Sequence, residues 1–221
     1  MRLLKENKNL FYIVIVLPLF FFYLDNAFIV WMRDIEERKS SLHLLLESID
    51  PLIDFFSNGL TLVIIACILY VIGKLSNKRL NEAGKILCVG FLTAGIVTQI
   101  LKHLIGRARP RLTDKLIFIG PTLKSGYDSF PSGHTAVAFC FAYILSTHFP
   151  RYRSIFYIVA LIFGFERAEE SAHFLSDILA GALVGLIAGK ILMKIFQRRQ
   201  FTAHSEGVPF PHTETAANSN E

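Results

Sequence analysis

His173 and Asp177 stand four residues apart in Ser171-Ala172-His173-Phe174-Leu175-Ser176-Asp177-Ile178-Leu179-Ala180-Gly181, at the mouth of a long apolar run. On a helix that spacing puts both side chains on one face, about one turn apart. The carboxylate then takes the proton of one ring nitrogen and leaves the other electron-rich, which makes a histidine a base or a nucleophile. Two more clusters suit an anion: Lys102 with Arg109-Pro110, and Pro131-Ser132-Gly133-His134, while Arg167 precedes His173 by six residues. An arginine fork donates two parallel hydrogen bonds to a phosphoryl group. Ser132-Gly133-His134 opens a helix, so free backbone N–H groups and the helix dipole face any anion there, with Ser132 as N-cap and Gly133 allowing close approach. Phosphoryl transfer divides naturally over the set: His173, oriented by Asp177, attacks phosphorus, His134 protonates the departing oxygen, and water clears a phospho-histidine. Each cluster alone also has a plain structural reading: a satisfied core pair, snorkelling cations, a capped helix.

The elements that must position these residues are membrane spans. Half of the 221 residues are apolar, Phe and Tyr number 20 and 7, and the mean hydropathy is +0.46. Several apolar runs approach bilayer length, so the chain reads as an all-α polytopic membrane protein rather than a soluble globule. The net charge of +5 does not imply a nucleic-acid partner, because the basic residues sit at the ends of apolar runs. Cys67, Cys88 and Cys140 lie apart inside apolar runs and read as small buried hydrophobes, without a disulfide or zinc pattern.

In chain order, a short basic start leads into a first span, Leu10–Trp31, uncleaved and kinked at Pro18, with Asp25 near the outer interface or in a polar helix contact. Leu42–Ile49 reads as an interfacial amphipathic helix followed by a re-entry turn at Asp50-Pro51. The second span is Gly59–Gly73, extended back to about Ile53, and the third is Ile86–Gly106. A polar loop over 107–130 precedes the fourth span, which ends near Phe149; Ile155–Phe165 and Phe174–Met193 are the fifth and sixth. The fifth run is short for a bilayer, so its outer turn is expected at headgroup depth. A membrane domain over 1–199, with a motif-bearing core of about 50–193, and a disordered cytoplasmic tail over 200–221 complete the division. Six spans with both termini cytoplasmic place Arg2, Lys5, Lys8, Lys74, Lys78, Arg79, Lys85, Arg151, Arg153, Lys190, Lys194, Arg198 and Arg199 inside, as the positive-inside rule favours. All three motifs then share the outer face.

Lys-x6-Arg-Pro, Pro-Ser-Gly-His and Arg-x5-His-x3-Asp together resemble the signature of the type 2 phosphatidic acid phosphatase superfamily, the lipid phosphatases related to vanadium haloperoxidases. The resemblance implies a six-helix membrane core and metal-independent dephosphorylation without a cofactor. It also implies His173 as nucleophile, His134 as acid, and phosphate contacts from Lys102, Arg109, Ser132, Gly133 and Arg167. A metal-dependent hydrolase is disfavoured because His134, His173 and Asp177 lack a zinc-type spacing. The expected partners are the bilayer and a phosphorylated lipid: undecaprenyl diphosphate, phosphatidylglycerophosphate, phosphatidate or a lipid A phosphate at the outer face of an inner membrane. Phosphotransfer to an acceptor, or a silent lipid-binding or transport protein, are the competing readings; oligomeric state is left open.

One departure stands out. Where the family's third motif usually opens with Ser, this chain has Glu166, and Glu169 and Glu170 lie in the spacer. The last two either face solvent, raise the pKa of His173, or meet a cationic headgroup. Arg107 and Arg111 flank the first motif and read as solvated or anion-steering side chains. His103 lines the interface, and His43, His148, His204 and His212 fall in surface or tail segments.

Overall fold

The helix Gly133–His148 is apolar around most of its circumference and forms the centre of a helical bundle, as an all-round hydrophobic helix must. The computed structural model describes residues 17–38, 41–57 and 59–205. Among these the order is α1 (Leu17–Glu37), α2 (Ser41–Ser57), α3 (Gly59–Ser76), α4 (Lys78–Ile105), α5 (Gly133–His148), α6 (Arg153–Glu169) and α7 (Leu175–Ser205), with a 3-10 turn at Pro150–Tyr152. The only strand-like pairing among the described residues is an isolated bridge between Arg107 and Phe118 in the loop after α4.

The core joins α4, α5 and α7 through Leu87, Ala94, Cys140, Ile144, Ala188 and Leu192. A second cluster, Phe139, Ala142, Ala160 and Ala182, fastens α6 to α5 and α7. Outside the bundle the side chains are again apolar: Leu92 and Ile96 on α4 are each 58% exposed, Leu161 on α6 60% and Ile191 on α7 53%. Such a surface needs lipid rather than water against it. Lys78–Ile105 and Leu175–Arg199 are long and apolar enough to cross a bilayer, which marks a membrane protein.

α5 and α7 meet along glycines. A Cβ at Gly181 would strike the Ser132 carbonyl oxygen, and one at Gly185 that of Ala136. At Gly189 it would lie 3.0 Å from the Tyr143 ring. Glycines four residues apart make one flat stripe, on which a neighbouring backbone settles directly.

Some expectations need correction. The Asp50-Pro51 turn is absent: α2 runs unbroken through Pro51 and is separate from α3. Asp50 and Asp54 keep helical register across the proline, which puts both on the face that meets Arg167. α7 continues to Ser205, beyond the expected tail boundary, because Lys, Arg and Gln are good helix formers and do not end a helix by charge alone. α1 likewise passes Trp31 to Glu37, where Arg33 donates to the Pro110 carbonyl at 2.9 Å. Cys67 is exposed rather than buried. Residues 10–16 of the expected first span, and 206–221 of the expected tail with His212, lie outside the described residues, as do the side chains of Pro18, His43 and His204. α6 has 17 residues, or about 25 Å of helix, as short as its apolar run suggests.

Gly185→Val places its branched carbons against a backbone that cannot move aside: Cys140 N is only 2.9 Å from the added Cβ. It should cost roughly 1–3 kcal/mol, lowering the thermal unfolding midpoint in detergent. Gly95→Ala, whose Cβ meets nothing within 4 Å, should not; equal effects would refute the close-packed seam.

Candidate active site

The end of α4 fixes the first cation. Gly106 adopts φ 62° and ψ 49° and caps the helix through a bond from its N–H to the Lys102 carbonyl; a left-handed cap of this kind favours glycine. Lys102, one turn earlier, is 93% buried at 7% exposure, and its ammonium donates to the Asp128 carbonyl oxygen at 2.7 Å. The loop returns Arg109 to the same residue: Nε and Nη2 donate to the two Asp128 carboxylate oxygens at 2.9 and 2.7 Å. Burial would raise the Asp128 carboxyl, but the hydrogen bonds and charge of Arg109, with Lys102 added, outweigh it and hold it down at about 2.

The N-terminus of α5 comes next. Ser132 is the N-cap, its hydroxyl accepting from Thr135 N at 3.5 Å and from the Thr135 hydroxyl at 2.9 Å. Gly133 and His134 follow as the first helical residues, where N–H groups lack intrahelical acceptors. A Cβ on Gly133 would meet nothing nearer than Thr98 Oγ1 at 3.7 Å and Lys102 Cε at 3.9 Å. Packing therefore does not demand glycine here; the glycine keeps clear the space beside Lys102. His134 also feels the charges of Arg167, Lys102 and Arg109 and the ring of His173.

His173 and Asp177 straddle the start of α7. Asp177 Oδ2 accepts from Phe174 N at 2.8 Å, so the carboxylate caps the helix from its third position, as half of a capping box does. The same oxygen accepts from the Ser129 hydroxyl at 2.6 Å and lies 3.8 Å from His173 Nδ1. Nδ1 is buried without a hydrogen-bond partner, so the predicted pair faces correctly but is not closed. Burial pushes His173 down to about 4; Asp177 opposes this, and the charges of Lys102 and Arg109 add to it. At neutral pH the ring is uncharged, with a nitrogen lone pair to offer. The Ser132 N–H donates to the Asp177 carbonyl at 3.0 Å, tying the two histidine-bearing helix starts together.

Arg107, expected to be solvated or anion-steering, and Asp25, expected at the outer interface or in a polar helix contact, are both buried here. Arg107 is fully enclosed and Asp25 is 3% exposed. Nη1 of Arg107 donates to Asp177 Oδ1 at 2.5 Å and Ser176 Oγ at 2.6 Å, and Nη2 donates to Asp25 Oδ2 at 2.6 Å. Asp25 also accepts from Ser176 N at 2.8 Å and from its hydroxyl at 2.6 Å. Of the two readings of Asp25, the helix contact is the one observed. Arg111 is exposed.

Arg167 is 6% exposed and surrounded by acids. Glu166, fully buried, accepts from its Nε and Nη2 at 2.5 and 2.6 Å; Glu170 lies 2.9 Å away, Asp54 3.1 Å and Asp50 3.4 Å. Glu170 thus pairs with Arg167; the side chain of Glu169 is not among those described. Asp50, Asp54 and Glu170 offer oxygens within 4.8 Å of one another, but the guanidinium already supplies the positive charge among them. His103 Nδ1 lies 3.0 Å from the Thr122 carbonyl oxygen, and His148 Nδ1 2.9 Å from that of Ile144.

The predicted residues Lys102, Arg109, Ser132, Gly133, His134, Arg167, His173 and Asp177 therefore converge at one end of the bundle. An apolar cavity of about 280 Å³ opens beside them between α2, α3, α5 and α6, lined by Leu52, Ile65, Val137, Phe141 and Phe163, with His134 in its wall. The groups that the sequence did not assign to the site are those that hold the cations and Asp177: the carboxylates of Asp25, Asp128 and Glu166, the hydroxyls of Ser129 and Ser176, and the Arg107 guanidinium. An acid inside a membrane span is the signal that pointed to Asp25.

Because the Asp128 carboxyl is depressed from its usual 3.8 to about 2, it stabilises the fold above the usual value and loses that effect as pH falls toward the lower one. Asp128→Asn should unfold at lower temperature than the parent at neutral pH and approach it as the pH falls through that window. A gap that persists below it would refute the assignment.

The family to which this geometry belongs is shown by comparison. A family model described as the PAP2 superfamily matches residues 83–201. A lipid A 1-phosphatase of Rhizobium etli is 30% identical over 154 residues, covering 63% of this chain and 66% of that protein. Phosphatidylglycerophosphatase B of Bacillus subtilis is 30% identical over 115 residues, 47% of this chain and 53% of that one. The chain spans about two thirds or less of the length of these curated relatives. The crystal structure of a transmembrane PAP2-type phosphatidylglycerolphosphate phosphatase from Bacillus subtilis shares the fold, with TM-score 0.60, 23% identity, and coverage of 86% of this chain and 95% of that one. With the family model matching more than half of its length, this chain is a member of the PAP2 superfamily.

Proposed function

We propose that the chain is an integral-membrane lipid phosphatase that needs no metal or cofactor. The observation that carries the reading is the apolar cavity whose wall includes His134, beside a site otherwise dense in charge. A hydrocarbon chain in that cavity would bring its phosphate to the N-terminus of α5, between Lys102, Arg109 and Arg167. Leu52, Ile65 and Phe163 offer the apolar contact, and the cations and N–H groups offer the charge.

His173 is the nucleophile. Its Nδ1 proton turns toward Asp177, and the lone pair of Nε2 attacks phosphorus as the bond to the lipid oxygen breaks. His134 donates a proton to that oxygen, and the dephosphorylated lipid leaves. Water, deprotonated by the now neutral His134, then attacks the phospho-histidine; inorganic phosphate departs and His173 recovers its lone pair. Lys102, Arg109, Arg167, the Ser132 hydroxyl and the first N–H groups of α5 hold the equatorial oxygens.

Six spans, formed by α1, α3, α4, α5, α6 and α7 with α2 at the interface, put this site at the outer face of an inner membrane and both ends of the chain in the cytoplasm. The distribution of Lys and Arg among the connecting segments supports that orientation. Substrate choice lies among lipids of the kinds that the relatives' names carry, a lipid A 1-phosphate or phosphatidylglycerophosphate, with phosphatidate and undecaprenyl diphosphate as further members of the class. A second reading is phosphotransfer, favoured by a relative from Escherichia coli named lipid A 1-diphosphate synthase, 27% identical over 133 residues. There an acceptor lipid phosphate takes the place of water.

The test is phosphate release by the purified full-length protein from these four lipids, in the presence of EDTA. His173→Ala should lose roughly 1,000-fold or more, and His134→Ala roughly 100- to 10,000-fold. Retained activity in the first would overturn the mechanism, and loss on adding EDTA would overturn metal independence. Since burial holds His173 near 4, the acid limb of kcat/KM, where the nucleophile loses its lone pair, should lie below about pH 5; an acid limb centred near the ordinary histidine value would contradict this. A cysteine at Ser171 should react with an impermeant thiol reagent from outside the cell.

A further inference from the structure

The chemistry proposed above uses Asp177 but not the groups that hold it. Asp177 Oδ1 is spent on Arg107, and Arg107 is spent equally on Asp25, across a gap of 82 residues in sequence. The three are enclosed by protein: Asp177 and Arg107 are fully buried and Asp25 is 3% exposed. The guanidinium lies between aromatic faces, 4.1 Å from the ring centroid of Phe174, 5.0 Å from Phe22 and 5.6 Å from Phe118. Its Nε has no hydrogen-bond partner. A cation so fully enclosed is held by two carboxylates and the Ser176 hydroxyl.

We propose that Arg107 and Asp25 are positioning residues for the nucleophile: they fix the Asp177 carboxylate in its plane and set how much negative charge it presents to His173. The geometry carries two separate functions. The guanidinium fork, with Ser129 and Phe174 N on the other oxygen, leaves Asp177 no freedom to turn. The charge acts independently of the fork. Arg107 draws negative charge away from His173, and Asp25, on the far side of Arg107, gives part of it back. With both acids charged, two acids and one base make a buried unit of net charge −1, which favours the imidazolium that Asp177 alone with Arg107 would not.

The two ends of this unit therefore act on His173 with opposite sign. Arg107→Gln removes a positive charge and should raise the pH at which His173 gains its proton. Asp25→Asn removes a negative charge and should lower it, each by about one pH unit. Arg107→Lys keeps the charge and loses the fork; it should leave that pH in place and lower kcat by roughly 10- to 100-fold, with KM little changed. The other charged and titratable groups facing the pair, Lys102 on α4, Arg109 in the loop, His134 on α5 and Arg167 on α6, are the same in all variants and cancel in the comparison.

This inference rests on the lipid-phosphatase reading for its kinetic consequence, and the experiment separates the two. The full-length protein, labelled at histidine and assigned with His173→Ala, is titrated by NMR in detergent, and the acid limb of kcat/KM on phosphatidate, phosphatidylglycerophosphate, undecaprenyl diphosphate and lipid A 1-phosphate is measured beside it. Opposite shifts of the His173 resonance in Arg107→Gln and Asp25→Asn, with the parental midpoint in Arg107→Lys, are the expected result. Shifts in one direction, or none, overturn the proposal whether or not phosphate is released. Absence of phosphate release by the parent sinks the functional reading and leaves the titration to decide the positioning role. A variant that does not fold is replaced by the Asp25→Asn, Arg107→Gln double substitution, which removes both charges and should return the midpoint toward the parent; a midpoint no closer to it than that of the single variant overturns the proposal.

Discussion

One buried guanidinium holds this end of the molecule together. Asp25 comes from α1, Asp177 from α7 and Arg107 from the loop after α4, three parts of the chain with no local reason to meet. Two carboxylates in an apolar bundle repel one another; Arg107 between them opposes that repulsion with a charge of the other sign. Removing one partner of such a group leaves a naked buried charge, at a cost of about 3–5 kcal/mol. Lysine would satisfy the charge but lacks the planar fork that reaches both acids and stacks on Phe174. The position of Asp177, and of everything that depends on it, follows from this one side chain.

The same device recurs around the site in weaker form. Arg109 is matched to Asp128, and Arg167 to Glu166, Glu170, Asp54 and Asp50. Cations near a membrane are expensive when unpaired, so each is held by its own acids in a geometry that already suits planar, two-oxygen contacts. Glu166 is the extreme case: fully buried beside Arg167, it fixes the guanidinium where a serine would leave it freer. Among the described residues of the site, His134 and His173 are the rings left without strong partners. The site thus has rigid charges and two lightly constrained rings, which is what proton and phosphoryl movement requires.

Much of this was legible in sequence, and the remainder was hidden for definable reasons. The long apolar helices α4 and α7 follow from run length alone, and Ser132 declares itself a cap by its residue type and place. His173 and Asp177 are legible because their pairing is local, one helical turn. Arg107 is not, because its partners lie 70 and 82 residues away and its neighbours in sequence, among the other arginines of a polar loop, resemble a solvated segment. Asp25 carried the correct signal, an acid within an apolar run, but its partner is not encoded nearby. The turn expected at Asp50-Pro51 failed because proline marks a break only when nothing rewards continuation; here helical register aligns Asp50 with Asp54 against Arg167. The end of α7 was missed since charge and helix propensity are separate properties of Lys and Arg.

The glycine stripe of α7 has a consequence for how such a molecule diversifies. Because Gly181 and Gly185 rest on main-chain atoms of Ser132, Ala136 and Cys140, the spacing of the two histidine-bearing helix starts is set by backbone against backbone. Among the described residues, the apolar cavity is lined by those of α2, α3, α5 and α6 and by none of α7. Residues such as Leu52, Ile65 and Phe163 are therefore free to change size, and with them the hydrocarbon that fits, while the distance between the reacting rings stays where the two backbones hold it.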